Sequence, residues 1–563
     1  MIKIVKATFV ITFLLLSLNR AKAQTYQWAK SIGSINDDHG QSIAVDGSGN
    51  VYITGYFGGT ADFDPGAGTA NLTSNGSGDI FFSKYDSSGN YLWAKSIGSI
   101  NSDYGLSIST DIPGNLYITG WFQGTADFDP DSSGTAILTS NNSSDIFFAK
   151  YDSSGNYLWA KSIGSTFNDV GYDIAVDSLG IVYITGYFEG IADFDPGAGT
   201  ESLSSDGGKD IFFAKYDSSG NYLWAKNIGS TGNDIGYSIA VDNTGCLYIT
   251  GYFEGIAGFD PGAGTANLTS NGSGDVFFAK YDSSGNYLWA KNIGSANDDR
   301  CQSIVVDGSS AYITGYFGGT ADFDPGAGTA NLTSNSIHDI FFAKYDPSGD
   351  YLWAKKIGGI DDDRGSSIVI TGSGNVYITG GFGGGTVDFD PGIGTAYLFS
   401  NGTQDIFFAK YDSSGNYLWA KSIGSISEDF GISIAADDLD NVYITGYFYE
   451  TADFDAGTGT ANLTSNGSCD IFFAKYSGDI VAVPDIALSG KLLIYPNPSN
   501  GKFIIKLQGE HQEMNVEIYN AFGENILRKT TSNEIDLSAA PKGIYFVKIY
   551  NGVKIQTEKI VIQ

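Results

Sequence analysis

Seven tryptophans, each in a Trp-Ala-Lys phrase, stand at Trp28, Trp93, Trp159, Trp224, Trp289, Trp353 and Trp419, so one unit of 64 to 66 residues recurs along most of this chain. A fixed period of that length marks units that cannot bury their apolar faces alone and must stack on their neighbours. It limits the chain to a repeat architecture before any single motif is weighed.

The unit from Ser42 to Lys95 shows what is repeated. SIAVD (Ser42 to Asp46) alternates, GSGN (Gly47 to Asn50) is a turn, and VYITGYF (Val51 to Phe57) is β-branched and aromatic. After a glycine-rich excursion come DIFFSKYD (Asp79 to Asp86), the turn SSGN (Ser87 to Asn90) and YLWAK (Tyr91 to Lys95). These are four strands joined by turn chemistry. Ile80, Phe81 and Phe82 run consecutively, so the middle strands are apolar on both faces and each sheet must lie between two others. Four-stranded sheets repeated radially make a β-propeller. A parallel β-helix has shorter repeats, and an immunoglobulin-like array needs about 100 residues per domain.

Counting strands sharpens the expectation. The second-strand phrase YITG occurs seven times, from Tyr52 to Tyr443, and the third-strand phrase seven times, from Ile80 to Ile471, but no LWAK strand follows the last one. The missing strand stands at the other end, as TYQWAKSIG (Thr25 to Gly33). The expected fold is all-β: a seven-bladed β-propeller of four-stranded blades, closed by its N-terminal strand, because an open ring would leave unpaired edges. The outer-strand lysines Lys30, Lys95, Lys161, Lys226, Lys291, Lys355 and Lys421 read as charges that blunt exposed edges.

The ends differ from the repeats. Lys3 and Lys6, the apolar run Ala7 to Leu18, and Ala21-Lys22-Ala23 read as a signal peptide over residues 1–23. No other stretch approaches the roughly 20 apolar residues of a membrane helix. The repeats carry 18 basic and 56 acidic residues, against nine and seven in 488–563. A surface of that charge repels nucleic acid and anionic lipid, leaving cations, neutral glycans or basic partners. Cys246, Cys301 and Cys469 are too few for a disulfide framework and are expected to be unpaired.

Candidate chemistry lies in repeated aspartates and in variable positions. Asp38, Asp103, Asp169, Asp234, Asp299, Asp363 and Asp429 precede each first strand, at one mouth of the expected channel. Seven carboxylates there could hold calcium or another cation, or each could bond its own turn. The DFDPG phrase, as at Asp62 and Asp64, offers paired oxygens without the later acids of a calcium loop. The residues just after the first column are His39, Tyr104, Val170, Ile235, Arg300, Arg364 and Phe430, and two positions on stand Gln41, Leu106, Tyr172, Tyr237, Gln302, Ser366 and Ile432. This variation on a constant frame suggests a ligand-binding rim, with His39, Tyr104, Tyr172, Tyr237, Arg300, Arg364 and Phe430 as contacts for a polysaccharide or a protein. The three histidines His39, His338 and His511 occupy no plausibly adjacent positions. An enzyme should show one repeat with odd acids facing a pocket, and no such repeat stands out. The expectation is a binding module and not an enzyme, with a polysaccharide lyase or hydrolase, or a ligand-free surface scaffold, as alternatives.

Two resemblances bear on this. The run D-x-G-x-S-I-x-V-D-x-x-G-N-V-Y-I-T-G-Y-F followed by D-I-F-F-A-K-Y-D-x-S-G-N-Y-L-W-A-K resembles the SBBP repeats of bacterial secreted β-propellers, and more loosely NHL repeats, over about residues 28–476. It implies fold and export and brings no catalytic residues. From Leu492, the phrases Tyr495-Pro496-Asn497-Pro498 and Lys542-Gly543-Ile544-Tyr545 and the basic final hairpin resemble the type A C-terminal sorting domain of the type IX secretion system. That implies passage through the outer membrane of a Bacteroidetes-type cell, with the secretion machinery as partner, then removal of the tail. The expected organisation is a signal peptide at 1–23, the propeller at 24–477, a linker at 478–490 and a small β-sandwich-like sorting domain at 491–563. The mature protein is expected to be an extracellular or surface monomer.

Overall fold

A computed structural model describes residues 25–477 except 132–133, 309 and 438, and residues 492–563 except 508–513, 521–524, 532–533 and 551–554. The expected signal peptide and linker lie outside the described residues. Every regular element among the described residues is a β-strand, and the chain divides into two compact units, Gln24–Gly478 and a C-terminal one.

The first unit holds seven four-stranded antiparallel sheets. In the first sheet the order is His39–Val45, Val51–Phe57, Asp79–Tyr85 and Tyr91–Ile97. The turn between its last two strands is built by side chains. The Asp86 carboxylate accepts the amides of Ser88 and Asn90 and the Asn90 side chain, while Gly89 takes a φ of 75° that a side chain would disfavour. The glycine-rich excursion folds into a short hairpin, Thr60–Asp62 with Asn71–Thr73. The buried Tyr85 hydroxyl donates to the Phe63 carbonyl at 3.0 Å and ties that hairpin down.

The core lies between sheets rather than within one. Ile80 and Phe82 pack with Phe122 and Phe147 of the second sheet, whereas Phe81, on the opposite face of the same strand, packs with Ile471 and Phe473 of the last. Period-two alternation thus sends each consecutive apolar residue into a different interface. Each fully buried phenylalanine contributes about 1.5–3 kcal/mol. The outer-strand tryptophans extend these contacts, as where Trp28 Nε1 donates to the Ser87 carbonyl of the next sheet at 3.2 Å. The neighbouring lysines also reach to the next sheet: Lys95 pairs with Asp131 at 2.6 Å and Lys291 with Asp350 at 3.4 Å. Lys95 and Lys291 thus bridge sheets from strands that are the outermost of their own.

The last sheet draws its outer strand from the other end of the chain. Its order is Phe430–Ala436, Val442–Phe448, Asp470–Tyr476 and then Tyr26–Ile32. Ser477 N donates to the Thr25 carbonyl at 2.9 Å, and the Tyr26 and Tyr476 rings meet edge to face at 6.2 Å. The first strand of the first sheet packs on the first strand of the last, so the succession of sheets closes on itself.

The C-terminal unit has a three-stranded sheet, Leu492–Tyr495, Lys502–Leu507 and Glu534–Asp536, and a four-stranded sheet ordered Asn525–Thr531, Met514–Asn520, Gly543–Tyr550 and Ile555–Ile562. Phe503, Ile505 and Ile535 of the first share a buried core with Val516, Ile518, Val547 and Ile560 of the second.

Candidate functional site: a cavity framed by the first strands

The aspartates before each first strand are fully buried. Asp38 accepts the Ser34 amide at 2.5 Å and the Gly58 amide at 2.8 Å, and Asp103 does the same with Ser99 and Gln123. Asp169, Asp234, Asp299, Asp363 and Asp429 repeat the pattern. Each carboxylate clasps the loop entering its first strand to the start of the excursion after its second. Burial pushes Asp38 up to about 6 and Asp363 up to about 7 despite these amides. Among the described residues no three acidic, histidine or cysteine side chains converge to hold a metal ion. The aspartates expected to ring the channel mouth hold backbone amides of their own loops. The DFDPG carboxylates use one oxygen likewise, with Asp62 Oδ1 accepting the Asp64 and Ala70 amides and Asp64 Oδ1 the Gly66 amide.

The residue after each clasp packs against the second strand of the preceding sheet. The Tyr104 ring stacks on Tyr56 at 3.8 Å, His39 meets Tyr447 at 4.3 Å, and the guanidinium groups of Arg300 and Arg364 lie 4.4 and 5.0 Å from the rings of Tyr252 and Tyr316. Val170 and Ile235 are buried with Tyr187 and Tyr252. In the sixth sheet Gly381 stands where the others carry an aromatic ring, and a Cβ there would lie 2.4 Å from the Phe430 ring, which takes up that space. Trp121, Tyr104, Tyr56, His39, Tyr447 and Phe430 thereby form one run of rings, neighbouring centroids 3.8 to 6.2 Å apart. Sequence reasoning missed the second-strand aromatics because they lie inside a nearly invariant phrase.

Two residues further on, Gln41, Leu106, Tyr172, Tyr237, Gln302, Ser366 and Ile432 line one cavity of about 570 Å³. His39, Arg364 and Phe430 also line it, so it gathers five of the seven expected rim contacts. Tyr104 belongs to the aromatic run, and Arg300 reaches the cavity wall through its bond to the Tyr237 hydroxyl at 3.2 Å. Asp298 pairs with Arg300 at 2.9 Å and Asp362 with Arg364 at 2.6 Å.

Behind these variable side chains runs a nearly constant ring. The hydroxyls of Ser42, Ser107, Ser238, Ser303, Ser367 and Ser433 each accept the amide of an isoleucine in the following sheet, at 3.2 to 3.4 Å. The third sheet breaks the ring with Asp173, which takes the Ile239 amide at 2.9 Å and the hydroxyls of Ser107 and Ser238 at 2.7 and 2.9 Å. Burial raises its pKa. Asp173 is an odd acid facing the cavity, which corrects the expectation that no repeat carries one. The signal was visible as aspartate in a serine column.

The structure also joins residues that seemed remote. Cys469 Sγ lies 3.3 Å from His39 Nε2 and 3.5 Å from Asp37 Oδ1. Burial pushes the thiol up to about 12 and the imidazole down to about 4, so at neutral pH the pair is uncharged and not the thiolate–imidazolium couple of a nucleophile. All three cysteines are free.

The chain is 26% identical over 531 residues, 80% of its length, to an uncharacterized WD repeat-containing protein of Acanthamoeba polyphaga mimivirus, and 27% identical over 237 residues, 40% of its length, to the regulatory protein FlaEY of Caulobacter vibrioides. It spans 38% of the first relative and 24% of the second. Among solved structures, PorZ, a surface component of the type-IX secretion system of Porphyromonas gingivalis, aligns at 12% identity over 93% of this chain and 81% of that one with a TM-score of 0.21. The extracellular domain of BT4673 from B. thetaiotaomicron aligns at 12% identity over 93% of this chain and 87% of that one with a TM-score of 0.16. No helix of the described residues is long and apolar enough to cross a membrane. Residues 27–56 match the SBBP beta-propeller repeat and residues 493–563 match the secretion system C-terminal sorting domain, which together mark a secreted or cell-surface protein.

Proposed function

We propose that the seven sheets are the blades of one propeller, that the C-terminal unit is a small β-sandwich removed after export, and that the mature monomer is a non-catalytic binding module. Its ligand sits in the first-strand cavity, with polysaccharide as the first class and protein as the second. The carrying observation is where variation falls: seven near-identical units differ at positions that converge on one cavity, while the serine ring behind it is constant at six of seven places. The cavity volume of about 570 Å³ is within the usual range of ligand pockets. Tyr172, Tyr237 and Phe430 offer ring faces, and Gln41, Gln302 and Arg364 offer hydrogen bonds to hydroxyls.

Two carboxylates on the cavity wall favour the hydrolase or lyase alternative: Glu428, which accepts the Tyr447 hydroxyl at 2.8 Å, and Asp173. The four hydrogen bonds of Asp173, from Ser107, Ser238, Ile174 and Ile239, commit its lone pairs to neighbours and leave it poorly placed as a general base.

Thermal unfolding of the repeat unit with a panel of polysaccharides tests the reading, since a ligand that binds the folded state raises its melting temperature. A shift lost on Tyr237→Ala and Arg364→Ala supports it. No shift with any of them, or a shift that survives both substitutions, ends it in favour of a surface scaffold.

A further inference from the structure

We infer that the hairpin of the sixth sheet is a second ligand site, separate from the cavity, and that it takes a neutral polysaccharide. This hairpin pairs Thr386–Asp388 with Tyr397–Phe399. Its outward positions are Tyr397 and Phe399, 65% and 61% exposed, and Ile393 in the connecting turn is fully exposed. The equivalent outward pairs elsewhere are small and mostly polar: Asn71 with Thr73, Ser202 with Ser204, and Asn331 with Thr333. Ile137 in the second repeat departs from that pattern, and Ile191 and Ile256 are exposed on the facing strands of the third and fourth hairpins, but none of these hairpins carries an aromatic ring there. The first hairpin fills the position of Phe399 with a threonine hydroxyl bonded across the strands, Thr60 to Thr73 at 2.8 Å. Replacing that bond by an aromatic ring that is more than half exposed gives up a hydrogen bond and turns apolar surface toward water, with no gain in core packing.

The geometry specifies a platform. Tyr397 and Phe399 are alternate residues of one strand, so their rings stand on the same side roughly 7 Å apart. Asp388 is directly opposite Tyr397. Its Oδ1 accepts the amides of Asp390 and Ala396 at 3.1 and 2.7 Å, and Oδ2 accepts none among the described residues. Two ring faces beside a free carboxylate oxygen match the C–H face of a sugar ring and a hydroxyl at its edge.

Size and charge select among occupants. Three exposed side chains offer roughly 400 Å², about half of what each partner contributes to a stable protein interface. The repeats' 56 acidic against 18 basic residues oppose acidic glycans and anionic lipid surfaces. A neutral glycan chain remains.

Affinity electrophoresis of the full chain in gels containing laminarin, amylose or xylan tests the site. The double variant Tyr397→Asn with Phe399→Thr installs residues that other hairpins already carry, so its fold should persist, which an unchanged melting temperature verifies. The expected result is retardation of the parent by at least one polysaccharide and roughly tenfold weaker binding of the variant, with Phe399→Tyr retaining it. The double variant should keep any polysaccharide-induced thermal shift that Tyr237→Ala abolishes, which separates the site from the cavity. Equal retardation of parent and variant overturns the assignment, as does no retardation of the parent in any gel. Flotation of the parent with phosphatidylcholine vesicles, or dimerisation that the double variant abolishes, overturns it in favour of a lipid or a second copy.

Discussion

Asp173 Oδ2 accepts the Ile239 amide from the next sheet at 2.9 Å, where every other sheet offers a serine hydroxyl for the same bond. One residue thus serves both as a link between sheets and as a carboxylate on the cavity wall. Asp173→Ala should cost about 1–3 kcal/mol in urea unfolding, because it strips partners from Ser107, Ser238 and Ile239. Asp173→Ser should restore the ring and unfold at the parent's midpoint or above. A serine variant as unstable as the alanine variant would show that the ring is not a stabilising device.

Closure by the N-terminal strand has a cost if it is lost. Deleting Thr25 to Gly33 frees one edge of Asp470–Tyr476, whose other edge stays paired with Val442–Phe448, and exposes the ring of Phe473 that Trp28 covers at 5.7 Å. The melting temperature should fall by about 10 °C or more, and aggregation should rise at the new edge. Differential scanning calorimetry of both proteins measures this, and equal melting temperatures would contradict the pairing.

The buried carboxylates set a pH dependence. Burial lifts Asp38, Asp169, Asp234 and Asp429 to about 6, and Asp145, Asp363 and Asp470 to about 7. In the unfolded chain these groups titrate near 3.9. Between pH 7 and pH 4 the folded state therefore binds more protons, and stability rises as pH falls. The turn aspartates Asp46, Asp86, Asp152 and Asp217 are held below the usual value by asparagine, backbone and hydroxyl donors, so their contribution is lost only in stronger acid. Melting temperature should peak between about pH 4 and pH 6. A steady rise from pH 5 to pH 8 would contradict these environments.

The clasp aspartates predict indifference to calcium. Their oxygens already hold amides, so millimolar calcium or its removal with EDTA should leave the melting temperature unchanged within about 1 °C. A shift of several degrees would show that loop carboxylates do converge on an ion.

The legible part of this protein was its grammar. Repeated LWAK and YITG phrases gave the strands their identity, and the Ile80-Phe81-Phe82 run gave two-sided burial. The DSSGN turn appears as written, with Asp86, Gly89 and Asn90 each in a fixed role. The candidate site was half legible. Tyr172, Tyr237 and Arg364 were found as variable positions, but repetition hid the aromatic partners Tyr56 and Tyr447, and Asp173 passed unnoticed among serines.

Sequence by itself determined which residues form the four main strands of each sheet and that the first strand belongs with the last, though not the short hairpins such as Thr60–Asp62 with Asn71–Thr73. These follow from local patterning and from counting, and need no knowledge of distances. Only the tertiary structure decided what the side chains do. Asp38 and its equivalents turn into their own loops because unpaired amides there must be satisfied. His39 meets Cys469 because closure brings the two ends of the chain together. Gln41 through Ile432 share one cavity because sheet stacking brings the first strands side by side, a relation that residues some 65 positions apart cannot reveal along the chain.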